Sequence, residues 1–365
     1  MSKLQQWGWT AHEQQHWTAM PAEFIPARVT ARFQSHWRVV TPSHQREQLV
    51  EISGAFQYLA AGSEDFPVVG DWVALSADGK LIQQVLPRRS AIIRQEAGRT
   101  AGGQVLTANV DTAFLVFGLD GGRNFSIGLL ERFLTITAAG KAKPAAVLNK
   151  ADCATPQHID SVCCQISAIT PSLPVIVTSI RTGDGLDDLR KMVPAGETAC
   201  CLGRSGVGKS SIMNALLGRT QQKTAEVSRI ENRGRHTTSS SQLMMLPSRL
   251  SPEHYAETTE PGGLLIDTPG LRELQLWGDE DALLDSFSDV RELAHECRFS
   301  DCRHQGEPGC AVQAAAAEGF LPQQRLEHFL EQRDELNTAE LRRSMSADAY
   351  ERHKWKKISK TIRRM

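Results

Sequence analysis

A glycine-rich segment with one lysine, GRSGVGKSS at 203–211, is the first part of this sequence with clear chemical potential. It meets the pattern G-x-x-x-x-G-K-[ST], in which glycines let backbone amides wrap phosphates and the helix that follows adds partial positive charge. An apolar stretch precedes it and an amphipathic stretch follows, as a strand–loop–helix unit requires. We expect Lys209 to reach the β- and γ-phosphates and Ser210 to hold Mg²⁺.

A second motif, NKAD at 149–152, indicates which base is bound. The Asp152 carboxylate can accept from N1–H and from the 2-amino group of guanine, a pair of donors that adenine lacks. Asn149 can pair at the other edge of the base, and the stem of Lys150 can lie over its face. Thr178 and Ser179 end the apolar stretch LPVIVTS, where backbone amides can meet the guanine oxygen. The two motifs together predict a guanine nucleotide.

The remaining parts of a nucleotide switch follow the phosphate loop. LLIDTPG ends an apolar strand in Asp267, which is expected to bind Mg²⁺ through water, while the Gly270 amide meets the γ-phosphate. The polar segment ENRGRHTTSSS between them has the place of a first switch loop, in which Thr237 or Thr238 ligates Mg²⁺; we favour Thr238.

Leu271 follows the glycine of DTPG, where many GTPases carry a glutamine that orients the attacking water. An apolar side chain cannot orient water, so intrinsic hydrolysis is expected to be slow and to be activated by a partner. His236 is a candidate catalytic group, and the alternative is a switch-loop residue without a chemical role.

The motifs stand in an unusual order, because the base-reading segment precedes the phosphate loop by some fifty residues. Apolar strands alternate with helical stretches in this region, which predicts a parallel sheet covered on both faces. Such a sheet tolerates circular permutation, since each strand–helix unit packs locally and the original ends lie close together. The order therefore predicts a circularly permuted GTPase domain.

Five short alternating runs between residues 27 and 95 predict a small β-barrel of the oligonucleotide-binding type, with an SH3-like barrel as the alternative. The arm before it, with Trp7, Trp9 and Trp17, is compatible with one amphipathic helix.

Near the other end, CRFSDCRHQGEPGC places three cysteines and a histidine within one turn-rich segment. Cys297, Cys302, His304 and Cys310 make a closed set of four ligands, which is typical of one structural Zn²⁺ per chain. Buried cysteines without a metal are the alternative.

The composition of the 365 residues is that of a soluble globular protein, with 41% hydrophobic residues and a net charge of −1. No apolar run approaches the roughly 20 residues that span a bilayer, and the start lacks a signal peptide. We therefore expect a cytoplasmic protein, without a membrane partner and monomeric. The basic stretch RHKWKKISKTIRRM is expected to contact nucleic acid or to be a solvated tail.

The predicted architecture is multidomain α/β, followed by a helical zinc-binding domain. Its boundaries are an arm (1–26), the barrel (27–95), a linker (96–105), the permuted GTPase domain (106–280), the zinc-binding helical domain (281–345) and the basic tail (346–365).

Taken together, NKAD, GRSGVGKSS, GRHTT, DTPG and the cysteine set resemble the circularly permuted ribosome small-subunit-dependent GTPase A family of bacteria. PVVGDWV and VLPRRS also look like that family's barrel segments. The resemblance implies GTP and GDP binding with Mg²⁺, one zinc, and binding to the small ribosomal subunit and its rRNA late in maturation. It assigns nucleotide contacts to the whole loop: Gly203, Arg204, Ser205, Gly206, Val207, Gly208, Lys209, Ser210 and Ser211.

Two other functions are kept open. One is a GTP-dependent RNA-binding regulator whose partner is not the small subunit, and the other is a metabolic phosphotransferase. Arg88, Arg89 and the lysines of the tail are candidate RNA contacts.

Overall fold

The computed structural model describes residues 2–42, 47–95, 103–121, 124–218, 241–247, 261–267 and 276–344. It contains two compact units, each built from separate parts of the chain. The sheet unit comprises Met1–Ile92, Val105–Ile127 and Lys141–Glu273, and the helical unit comprises Ile93–Gln104, Gly128–Gly140 and Leu274–Met365. The domain boundaries predicted above remain a prediction.

A five-stranded barrel opens the sheet unit, as predicted. Its strands are β1 (Ile25–Arg32), β2 (Trp37–Val40), β3 (Gln48–Ile52), β4 (Trp72–Leu75) and β5 (Leu81–Val85). They pair in the order β1-β2-β3-β5-β4, and β4 closes the barrel against β1. Alternate side chains along these strands point into the barrel. Its buried core contains Val29, Val39, Val50 and Val73, together with Trp37.

Two short helices precede the barrel, where the sequence suggested one. They are α1 (Lys3–Gln6) and α2 (Ala11–Trp17), each begun by a capping box, at Ser2 and at Thr10. Trp9 lies between them and packs edge-on against Trp72 of β4, with ring centroids 4.8 Å apart. The contact between Trp9 and Trp72 therefore packs the arm against the barrel.

The barrel joins the predicted α/β sheet because β1 pairs with strand β12 (Gln242–Pro247). The strands of this part are β8 (Thr112–Gly118), β9 (Lys143–Asn149), β10 (Val175–Val177), β11 (Thr198–Leu202), β12 (Gln242–Pro247) and β13 (Pro261–Asp267), in the order β10-β9-β8-β11-β13-β12. All neighbouring pairs from β10 to β13 are parallel. β12 differs from the predicted pattern, since it runs antiparallel to β13 as its hairpin partner.

Helices α3 (Gly54–Leu59), α5 (Pro156–Ile169), α6 (Leu186–Lys191) and α7 (Lys209–Leu216) also belong to the sheet unit. Leu189 of α6 and Ile212 of α7 share one buried cluster with apolar side chains of β8, β9, β11 and β13. Every residue of β8 and β11 is buried, which explains their uninterrupted apolar sequences. A separate two-stranded sheet pairs β6 (Ala91–Gln95) with β7 (Gly103–Ala108).

The helical unit combines α4 (Ile127–Ala139), from Gly128 onward, with α8 (Glu280–Ser286), α9 (Ser288–Ala294), α10 (Ala311–Glu318) and α11 (Gln323–Ser344). Its interior holds a charged cluster: Arg325 of α11 donates to Glu131 of α4 at 2.7 Å and to Asp289 of α9 at 2.8 Å. Glu131 is fully buried and also contacts His328. Among the helices that the structure describes, none combines the length and apolarity that crossing a membrane requires.

Candidate functional site

Residues 203–208 of the phosphate loop connect β11 to α7, and residues 209–211 begin α7, as the sequence predicted. Gly206 and Gly208 have φ angles of +86° and +101°, which the loop needs and which glycine adopts without strain. The Lys209 ammonium donates to the carbonyls of Gly203 and Arg204, both at 2.8 Å, and so ties the loop into a ring. Ser210 and Ser211 are exposed at the start of α7.

Asp267 ends β13, the strand next to β11, and therefore lies at the same edge of the sheet as the loop. Burial raises the pKa of its carboxyl, while the charge of Lys209 acts in the opposite direction. Burial likewise lowers the pKa of the Lys209 ammonium, and Cys201 and Asp267 oppose that shift. Lys209 and Asp267 therefore each stabilise the ionised form of the other at this edge of the sheet.

Asn149 links the base-reading motif to the phosphate loop. Its amide Nδ2 donates to the Val207 carbonyl at 2.9 Å, and its Oδ1 accepts from the Thr178 hydroxyl at 3.1 Å. Asn149 and Thr178 are both buried. A Cβ atom on Gly208 would lie 2.2 Å from this Nδ2, so the glycine permits the close approach. Segments that are distant in sequence thus form one site.

Asp152 is held in place by Ser179, whose hydroxyl donates to its Oδ1 at 2.7 Å. This hydrogen bond is the main reason why the pKa of the Asp152 carboxyl is lowered. The carboxylate therefore stays ionised and able to accept two hydrogen bonds from a base.

Lys150 lies in the left-handed region, with φ of 64°, and its ammonium pairs with Asp120. Asn124 donates to the other oxygen of that carboxylate at 2.9 Å. The sequence analysis did not identify Asp120. Its position in the sequence could have indicated it. Asp120 follows the carboxyl end of β8, and that end is level with the end of β9, where Asn149 lies.

His236, Thr237, Thr238, Gly270 and Leu271 lie outside the described residues.

The predicted metal ligands come together in the helical unit. The ligand atoms of Cys297, Cys302, His304 and Cys310 all lie within 4.8 Å of one another, so the group could hold one metal ion. Cys297 Sγ is 3.9 Å from Cys310 Sγ and 3.7 Å from His304 Nδ1, and the latter is 3.4 Å from Cys310 Sγ.

Backbone contacts hold the ligand loop in shape. Cys310 caps the start of α10, where the Gln313 amide donates to its sulfur at 3.4 Å. The Gln313 side chain donates to the His304 carbonyl at 2.8 Å. These two contacts fix the positions of Cys310 and His304 within the ligand loop.

Arg88 and Arg89, the predicted RNA contacts of the barrel region, both form ion pairs within the protein. Arg88 binds Asp71 through Nε and Nη2, both at 2.8 Å, and the Glu64 carbonyl through Nη1 at 2.7 Å. Arg89 is paired with Asp111. Both guanidinium groups are thus used in ion pairs within the protein, and Arg88 supplies the cation that the buried anion Asp71 needs.

Comparison with known proteins identifies the family. A family model described as RsgA GTPase matches residues 85–277. A protein from Opitutus terrae named "Small ribosomal subunit biogenesis GTPase RsgA" is 40% identical over 350 residues, which cover 92% of this chain and 90% of the relative. The chain belongs to the RsgA GTPase family. The family resemblance found in the sequence and the predicted enzyme class, a GTPase, are both confirmed.

Solved structures of this family confirm the fold class. The chain is similar to YjeQ from Thermotoga maritima, with a TM-score of 0.62, 25% identity, and coverage of 86% of this chain and 98% of that one. It also shares its fold with YloQ, described as a circularly permuted GTPase, with a TM-score of 0.58, 23% identity and coverage of 86% and 95%. The barrel, the permuted RsgA GTPase fold and the helical C-terminal part were thus predicted correctly.

Proposed function

We propose that this GTPase binds the small ribosomal subunit and hydrolyses GTP there, late in the maturation of that subunit. The observation that carries the proposal is the hydrogen bond from Asn149 to Val207, which joins the two motifs that are expected to bind a guanine nucleotide. The name of the Opitutus terrae relative supports the choice of partner.

The roles of the site residues follow from their chemistry. Asp152 is expected to accept from N1–H and the 2-amino group of guanine, with Asn149, Lys150, Thr178 and Ser179 around the base. The loop amides from 203 to 211 and the Lys209 ammonium are expected to hold the phosphates. Ser210, Asp267 and Thr238 are the expected Mg²⁺ ligands, with Thr237 and Gly270 beside the γ-phosphate.

Bound Mg²⁺ would supply charge stabilisation for the β- and γ-phosphate oxygens. Leu271 stands where a water-orienting glutamine is usual, so the chain itself provides little help to the attacking water. We propose slow hydrolysis without a partner, faster hydrolysis on the subunit, and His236 as the candidate group that the subunit brings into place.

We propose zinc as the metal of the cysteine and histidine cluster. Tetrahedral Zn²⁺ with Zn–S near 2.3 Å and Zn–N near 2.0 Å places sulfurs about 3.8 Å apart and sulfur about 3.6 Å from nitrogen. The observed separations of 3.9, 3.7 and 3.4 Å fit that size. Metal analysis of purified protein is expected to find about one zinc per chain, and a Cys310→Ser variant should lose it; a metal-free parent protein would remove the proposal.

We further propose a cytoplasmic monomer with the domain boundaries given above; the four metal ligands all come from one chain, so the metal site needs no second copy.

Co-sedimentation tests the choice of partner. The chain with a non-hydrolysable GTP analogue should sediment with small subunits, and with GDP it should sediment much less. Large subunits and free rRNA serve as controls. Equal binding to every RNA would favour the alternative of an RNA-binding regulator whose partner is not the small subunit.

A further inference from the structure

A groove of about 580 Å³ lies within the helical unit, away from the metal ligands. Its apolar lining includes Ile93, Ile136 of α4, Ala139 and Trp277. A groove of this size, with apolar side chains in part of its lining, can take one large side chain of a partner.

Four acidic side chains line the same groove. Asp279, Glu280 and Asp281 come from the start of α8, and Glu340 comes from α11; all four are exposed. Among the described residues, no Lys or Arg side chain forms an ion pair with any of these four carboxylates, although Arg291 donates to the Asp281 carbonyl at 3.3 Å. The groove is therefore mostly polar, with four carboxylates beside a few apolar side chains.

Helix chemistry explains only part of this rim. Asp279 caps α8 by accepting from the Ala282 amide at 3.0 Å, and acids in the first turn suit the helix dipole. Glu340 lies near the C-terminal end of α11, where the dipole disfavours negative charge. Glu340 adds a carboxylate to the groove from a second helix.

We propose that this groove binds a basic segment of a small-subunit protein, with an apolar side chain of that segment against Trp277. The inference rests on the proposed function and specifies how the partner is contacted. A rim of carboxylates repels phosphate, so this face cannot lie against rRNA. A Lys- and Arg-rich protein segment complements both the charge and the apolar lining.

The change in small-subunit binding when negative charges of the groove are removed tests the proposal. We would measure binding of purified small subunits to the full-length chain, with the GTP analogue, and to a Glu280→Gln/Asp281→Asn/Glu340→Gln variant. Asp279 is kept because it caps α8. Binding is expected to weaken roughly 5- to 30-fold at low salt and less at high salt. A matched control, Glu292→Gln/Glu318→Gln/Glu331→Gln, removes the same charge from exposed positions that do not line the groove, and should bind like the parent.

A photo-crosslinking residue in place of Glu340 identifies what the groove faces. The expected product joins this chain to a basic protein of the subunit. Tighter binding by the groove variant, a crosslink to rRNA, a crosslink to residues 345–365 of the chain itself, or unchanged binding would each overturn the inference. Failure of the proposed function is distinct, since the parent chain would then not bind small subunits at all.

Discussion

Replacing Asn149 with alanine removes the link between the base-reading segment and the phosphate loop. The structure shows two partners that would lose their hydrogen bonds, the Val207 carbonyl and the Thr178 hydroxyl, and Thr178 is fully buried. A buried polar group without a partner costs about 1–3 kcal/mol, so the free energy of unfolding should fall by about 2–6 kcal/mol. For a unit of this size, that lowers Tm by at least roughly 4 °C.

Nucleotide affinity should fall in the same variant. The Val207 carbonyl belongs to the peptide that ends at Gly208, inside the loop expected to hold the phosphates. Without this hydrogen bond the loop is more flexible, so that nucleotide binding costs more conformational entropy. We therefore expect the Kd for GDP to rise about 10- to 100-fold. Thermal unfolding and titration with a fluorescent GDP analogue measure the two effects.

Two controls define the comparison. Thr178→Val removes only one of the two hydrogen bonds and should have about half the effect on stability. Cys153→Ser changes an exposed neighbour of Asp152 and should stay within about 0.5 kcal/mol of the parent. An Asn149→Ala protein that melts and binds GDP like the parent would refute the idea that this side chain joins the two motifs.

Three further changes test other parts of the structure. Asp152→Asn replaces an acceptor with a donor, so the selectivity for guanine over xanthine nucleotides should reverse without loss of Tm; unchanged selectivity would contradict the assigned role. Gly208→Ala should weaken GDP binding more than Gly206→Ala, because its Cβ meets Asn149 at 2.2 Å whereas that of Gly206 has nothing within 4 Å. Arg325→Met leaves Glu131 buried without its cation and should cost about 3–5 kcal/mol near pH 7, whereas the exposed Arg291→Met should cost little.

The Arg325→Met deficit should also depend on pH. Burial raises the pKa of the Glu131 carboxyl above its usual 4.5, while Arg325 and His328 act to lower it. A raised pKa in the folded state means that the carboxyl's contribution to stability is fully present below the unfolded value and is lost as pH rises through the folded value. Urea unfolding should therefore show a smaller deficit at pH 5 than at pH 8, and a deficit independent of pH would contradict this explanation.

The meeting of the nucleotide motifs in space was largely predictable because each motif lies at the end of a strand. Asn149 and Asp267 end β9 and β13, and Lys209 follows β11 through a loop of glycines. In a parallel sheet these ends share one edge, so the spacing of motifs along the chain predicts their meeting in space. The metal ligands were predictable for a similar reason, since one turn-rich segment contains all four.

Contacts between distant residues were not predictable in the same way. Arg28 is fully buried and donates to the Thr198 hydroxyl at 3.0 Å, although the two residues are 170 positions apart. Nothing in the local sequence separates such an arginine from a surface one, which is why the ion pairs of Arg88 and Arg89 were not predicted. The association of α4 with the C-terminal helices depends likewise on Glu131 and Arg325, which are 194 positions apart.

The most direct test of the central claim is the rate of GTP hydrolysis with and without purified small ribosomal subunits. Large subunits and free rRNA are the controls for the partner, and Lys209→Ala is the control for the site. We predict slow hydrolysis by the chain alone, strong stimulation by small subunits only, and loss of that stimulation in the Lys209→Ala variant. Hydrolysis that stays the same in every mixture would contradict a GTPase activated by the small subunit.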